Sequence, residues 1–202
     1  MSAVAIFLVL ILILASYIII KPNEPDEKFI TAFEAKEIAD NVTHELGIDL
    51  PLTTISAKAI NVYEHEPGRL DSNGKSTLWQ FHYQQTNDTS FNYTWCSLLI
   101  YSNGSHYIDW MNGTGAYWYV NDLVNLNIDS DRAYEQAVSN NKIKTFLSEH
   151  PGVKMISFDL SWDFDHNCPI WNMDWQVVYP FDNISGIHAR ISADTGQWIM
   201  SP

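Results

Sequence analysis

Between Thr31 and Leu46 the apolar residues return every three or four positions, the spacing of a helix that buries one face. Thr31-Ala-Phe-Glu34 opens this stretch as a capping box, Ala35, Ile38, Ala39, Val42 and Leu46 line its apolar face, and Gly47 ends it. A second helical stretch begins near Asp129 or Asp131, carries Ala133, Ala137, Phe146 and Leu147, and stops before Pro151-Gly152. Elsewhere the period shortens to two. Ile55 to Tyr63, Trp79-Gln-Phe-His-Tyr83 and Ser97 to Gly104 read as strands separated by Gly, Asn and Asp turns. Met155 to Phe164 alternates, with Ile156, Phe158, Leu160, Trp162 and Phe164 on one face, and Trp175 to Tyr179 and Ile187 to Ile199 follow as further strands.

The order helix then strands occurs twice. Ala35-x-x-x-Ala39 matches Ala133-x-x-x-Ala137 at an offset of 98, and Trp79-Gln-x-x-Tyr83 matches Trp175-Gln-x-x-Tyr179 at an offset of 96. Small residues on one helix face let the helix lie close to a sheet. The expected fold is α+β: two tandem units, 29–112 and 128–202, each with a helix on one face of its own antiparallel sheet, joined by an aromatic connector 113–127 that packs across them.

Ala3 to Ile20 is an uncharged apolar run of eighteen residues, about 27 Å as a helix and enough to cross a bilayer core. No basic region precedes it and no small-x-small cleavage site precedes Lys21, so an uncleaved anchor over 1–20 is expected rather than a signal peptide. Lys21 to Lys28, with two prolines and four acids, reads as an extended spacer. Asn41, Asn87, Asn92, Asn103, Asn112 and Asn183 all head Asn-x-Ser/Thr sequons, against about two expected by chance, which places the polar part on the extracellular side. In that compartment Cys96 and Cys168 could close a disulfide loop of about 72 residues, worth about 4 kcal/mol in the chain-entropy picture; the alternative is two buried thiols.

The second unit resembles a PepSY domain, a helix-plus-sheet module of secreted and membrane-tethered bacterial and archaeal proteins. The likeness rests on the Ala133-x-x-x-Ala137 helix, the Trp175-Gln-Val-Val-Tyr179 strand and the ending Ile191 to Ile199, whose Ser192-Ala-Asp-Thr-Gly196 is similar to the family's closing Asp-Ala-x-Thr-Gly turn, with Ser where the family has an acid. In the first unit the corresponding turn is Tyr101-Ser-Asn-Gly104, without the Thr-Gly pair. The resemblance implies a non-enzymatic binding or inhibitory role toward a separate protein.

Nearly half the residues are apolar, and eight Trp, ten Tyr and nine Phe exclude wholesale disorder. A net charge of −13, with eleven Lys and Arg in all, argues against nucleic acid and against attachment to anionic headgroups by surface charge. Asp163, Asp165, His166 and Cys168 are the densest group of candidate metal ligands, but they fit no metal spacing, and the alternation of their strand assigns Asp159, Asp163 and Asp165 to a solvated face. His44-Glu45 lacks the second histidine of a zinc protease, and His65 lies in an acidic turn. Trp110, Tyr117, Trp118, Tyr119, Trp162, Trp171 and Trp175 read chiefly as packing between the units, with a ligand groove as the alternative. No catalytic, cofactor or metal residues are assigned. The expectation is a non-enzymatic binding or regulatory module held at the cell surface by one membrane helix. A structural or accessory subunit of a membrane complex or surface filament is the alternative, and a metal-dependent hydrolase a weaker one.

Overall fold

The computed structural model describes residues 28–57, 68–87, 92–114, 121–178 and 184–199. The expected anchor and nearly all of the spacer, His65, Tyr117 to Tyr119, Tyr179 and Asn183 lie outside those residues. The elements are α1 (Ala32–Leu46), β1 (Leu52–Ala57), β2 (Leu78–Asn87), β3 (Asn92–Tyr101), β4 (His106–Thr114), α2 (Ser130–Ser139), α3 (Asn141–Glu149), β5 (Lys154–Asp163), β6 (Cys168–Val178) and β7 (Ile184–Ser192). Mixed helix and antiparallel sheet agree with an α+β chain.

The capping box forms as its sequence requires: Glu34 N–H donates to Thr31 Oγ1 at 3.2 Å and Thr31 N–H donates to Glu34 Oε2 at 2.8 Å. Gly47 closes the helix at φ 65°, where a side chain would be strained. The expected single second helix is instead two. Asn140 leaves the helical region at ψ 128° and its side chain accepts from Lys142 N–H at 2.9 Å, so a new helix starts there with its own cap. β5 is shifted by one residue from the expected Met155 to Phe164: it runs Lys154–Asp163, and Phe164 is 57 % exposed rather than on the inner face. The anticipated strand Ile187 to Ile199 turns back on itself at 193–196, so Trp198 bridges to Ile191.

All seven strands join one antiparallel sheet of order β4-β3-β2-β1-β5-β6-β7. Two separate sheets were expected; the seam is the short pairing of β1 with β5 through Thr54↔Ser161, Ile55↔Leu160 and Ser56↔Asp159. A two-fold axis normal to the sheet at the Ser56↔Asp159 pair carries β1 to β5, β2 to β6 and β3 to β7. The indoles fix the correspondence. Trp79 Nε1–H donates to the Ile30 carbonyl at 2.9 Å, and Trp171 Nε1–H donates to the Ile128 carbonyl at 2.8 Å, each carbonyl lying just before a helix cap. Trp79 therefore corresponds to Trp171, at an offset of 92, and not to Trp175 as the Trp-Gln motif suggested.

The helices cover one face only. Ala35, Ala39, Ala133 and Ala137 are fully buried, and their lack of bulk lets the helix axes approach the rings of Trp79, Phe81, Phe158 and Trp171. Each such large side chain contributes about 1.5–3 kcal/mol by leaving water.

The helix starts meet at the seam. Asp129 caps α2, where Ser130 N–H donates to its Oδ1 at 2.6 Å, and the same oxygen accepts from Phe33 N–H in α1 at 3.0 Å; Ala32 N–H donates to Ser130 Oγ at 3.0 Å. One carboxylate thus serves two helix N-termini, where the partial positive charges favour an anion. Gly74 belongs to the same joint: at φ +75° a Cβ would stand 2.6 Å from the Ser130 carbonyl oxygen. The described part of the connector spans both halves. Leu123 N–H donates to Leu52 O at 2.7 Å, and Asn127 and Ile128 N–H both donate to Ala193 O at 2.9 Å.

Candidate binding face

Alternation sends every second side chain to the face that no described helix covers. Register then aligns these side chains into rows across strands from both halves. One row runs Gln80, Ser56, Asp159, Asn172, Arg190 through five neighbouring strands, and the next runs Ser97, His82, Thr54, Ser161.

The rows are laced together. Gln80 Nε2 donates to Ser97 Oγ at 2.5 Å, while Asn172 Nδ2 donates to Ser161 Oγ at 3.2 Å and Asp159 Oδ2 at 3.3 Å, and Ser157 Oγ donates to Asp159 Oδ1 at 2.7 Å. Gln80 Oε1 is buried without a hydrogen-bond partner among the described residues. The His82 ring stacks on Trp95 at 5.7 Å between centroids, giving the first-half side an aromatic patch. Such a face can recognise a partner by hydrogen bonds and flat contacts.

Asp163 stands at the end of the face, and the solvated role expected of it is corrected by the structure. It is 7 % exposed, paired with Arg190 of β7 and bonded to His166 Nδ1 at 2.9 Å, and it accepts from Asp165 N–H at 2.9 Å. Burial alone would raise its pKa, but the His166 hydrogen bond, backbone N–H donors and the Arg190 charge outweigh it and hold the carboxyl below its ordinary value. Asp165 lies in the turn after the strand, exposed. No three His, Cys, Asp or Glu among the described residues gather so as to hold a metal ion.

Cys96 and Cys168 do not pair, and both thiols are free. Cys96 points into the helix-side core from β3 and Cys168 lies on the open face of β6, with β2, β1 and β5 between them. Four strand spacings amount to about 19 Å, well beyond the ~7 Å Cα limit of a disulfide. Their separation in sequence gave no hint of this.

Asn41, Asn103 and Asn112 are exposed, on α1, in the β3–β4 turn and on the edge strand β4; Asn87 and Asn92 flank the β2–β3 connection. His44 and Glu45 are exposed near the end of α1 without forming a site. Trp171 and Trp175 are buried in the core, Trp162 packs against it, and Trp110 is 50 % exposed on β4. Sequence reading missed Arg190 and Asn172, since their partners lie 27 and 13 residues away and meet only through strand register.

Among the described residues no helix is long and apolar enough to cross a membrane; the run 3–20 lies outside them. No protein-family model, curated protein or solved structure matches the chain.

Proposed function

We propose that this chain is a non-enzymatic binding or regulatory module, tethered by its apolar N-terminus, with two tandem PepSY-like units facing outward to engage a separate protein. The observation behind the reading is the open sheet face, where polar and aromatic side chains from both halves form continuous rows across the Ser56↔Asp159 seam. No described helix covers this side of the sheet, where Ser56, Asp159 and Asn172 are half-buried while Gln80 and Ser97 are buried, and Trp, Tyr and Arg at its margins suit protein contact. A Ser56→Arg variant puts a long charged side chain at the centre of the rows. The expected result is loss of the natural partner from the natively extracted chain with no change in the helix and sheet content; a partner retained in full would contradict the reading.

A second reading, an accessory subunit of a surface assembly, is favoured by the edge strand β4, which exposes Tyr107 and Met111 on one face and Trp110 on the other. A fixed-stoichiometry complex that Trp110→Glu disperses would support it over a regulatory binder.

A further inference from the structure

The turn before β4 fixes which backbone groups of that strand point away from the sheet. Tyr101 N–H donates to Ser105 O and Gly104 N–H donates to Tyr101 O, both at 2.9 Å, with Gly104 at φ 87°, a three-residue hairpin loop closed by a glycine bulge. Tyr101 and Ser105 are therefore a hydrogen-bonded pair, and by alternation so are Leu99 with Tyr107, Ser97 with Asp109 and Trp95 with Met111. His106, Ile108, Trp110 and Asn112 turn their N–H and C=O groups away from β3.

β4 is the last strand of the sheet on this side, and its side chains are open as well. Cys96 to Ile100 of β3 are buried, whereas His106, Tyr107, Asp109, Trp110, Met111 and Asn112 are exposed, three on each face. An exposed edge strand with apolar side chains is a template for pairing with another chain. Proline and lysine commonly blunt such an edge, and His106–Thr114 contains neither.

It has a sequon at each end instead. Asn103-Gly-Ser105 lies in the hairpin turn, and Asn112-Gly-Thr114 forms the last three residues of the strand. Asn103 is exposed, and its Oδ1 accepts from Ser105 N–H at 2.9 Å and from Ser105 Oγ at 2.7 Å, so the turn engages Oδ1 and not Nδ2. Asn112 is exposed on the same face as Trp110.

We infer that N-linked glycans on Asn103 and Asn112 cap the two ends of β4 and keep it from pairing edge to edge with a second copy of the chain. The donor is an oligosaccharide carried on a lipid phosphate: Nδ2 of each asparagine bonds to the sugar C1, the C1–O bond to phosphate breaks, and the amide proton and the lipid phosphate leave. A two-fold axis normal to the sheet at Ile108 would lay β4 antiparallel to itself, His106 opposite Trp110 of the second copy, with outward groups meeting outward groups. In that register Asn112 falls opposite Gly104 of the second copy and beside its Asn103, so each end of the joint would have to hold two bulky glycans. Moving the axis to Trp110 sets Asn112 opposite Ile108 and puts its glycan inside the joint. This rests on the outward orientation proposed above.

The test extracts the full-length chain natively and reads it by glycopeptide mass spectrometry and by size exclusion with light scattering. The wild type should carry glycan on Asn103 and Asn112 and contain one copy of the chain per particle. The Asn103→Gln/Asn112→Gln double variant should self-associate about tenfold more tightly or more, and Trp110→Lys added to it should restore the single copy. Ser105→Ala with Thr114→Val removes the same sequons and keeps both asparagines, which repeats the test if the glutamine variant fails to fold. A wild type occupied at both sites, with double variants that stay single, overturns the inference and leaves the outward orientation standing. Association that Trp110→Lys leaves within about twofold also overturns it, by moving the contact off β4. Asn103 and Asn112 both bare in the wild type overturn it as well, and a wild type with no glycan on any sequon overturns the outward orientation too.

Discussion

Trp79 and Trp171 stand edge to face across the joint of the two halves, ring centroids 6.3 Å apart and planes at 68°, each indole hydrogen-bonded to the carbonyl two residues before a helix begins. One pair of rings thereby ties both helix starts to the sheet seam. Trp79→Phe and Trp171→Phe each remove an indole donor and ring volume from the joint, the Ile30 carbonyl keeping the Ser76 N–H and the Ile128 carbonyl losing its indole partner, and should cost about 1–3 kcal/mol in denaturant unfolding. Because the rings touch, the double variant should deviate from the sum of the singles; strict additivity would argue against a shared joint.

The same joint was only partly legible in the sequence. The capping box, the paired Ala-x-x-x-Ala stretches and the alternation of β2 and β5 are local patterns, and those elements appear where expected. What escaped depends on register and long-range pairing: the fusion of the two sheets through three residue pairs of β1 and β5, the break at Asn140, the burial of Asp163 and the distance between Cys96 and Cys168. The Trp-Gln repeat misled because the same dipeptide recurs four residues, two periods of alternation, beyond the equivalent ring, whereas Trp171, followed by Asn172, carries no such signature.

Two carboxylates should give opposite pH dependences. Asp163 has a lowered folded pKa, so its stabilising contribution is present above the unfolded value and is lost as pH falls through the folded one. Asp129 is raised, chiefly by burial, so its protonated form favours folding and the contribution is lost as pH rises through the folded value. The stability advantage of the wild type over Asp163→Asn should thus shrink in acid, and that over Asp129→Asn should be largest there. Urea midpoints measured through the acid range give both slopes.

Removing the cap itself is a separate matter. Asp129→Ala takes the acceptor from two helix starts at once and should cost about 1–2 kcal/mol or somewhat more, against less for Asp129→Asn, which retains an oxygen. Circular dichroism with thermal melting distinguishes the two variants.

The thiols should behave as separate groups. Burial pushes Cys96 up to about 11 and also raises Cys168, so neither is a ready thiolate, and Cys96, with no exposure, should alkylate far more slowly in the native chain than the half-buried Cys168. Alkylation followed by mass spectrometry under non-reducing conditions should find two free thiols; an intramolecular disulfide would contradict the strand order.

Native detergent extraction of the full-length chain, followed by size-exclusion and mass spectrometry, reads the intact N-terminus, the glycans and any bound chain together. The expected result is an uncleaved protein carrying glycan mass that Asn103→Gln and Asn112→Gln each reduce, together with a separate partner protein that Ser56→Arg releases. A cleaved, unglycosylated chain with no partner would contradict the anchor, the outward orientation and the binding role at once.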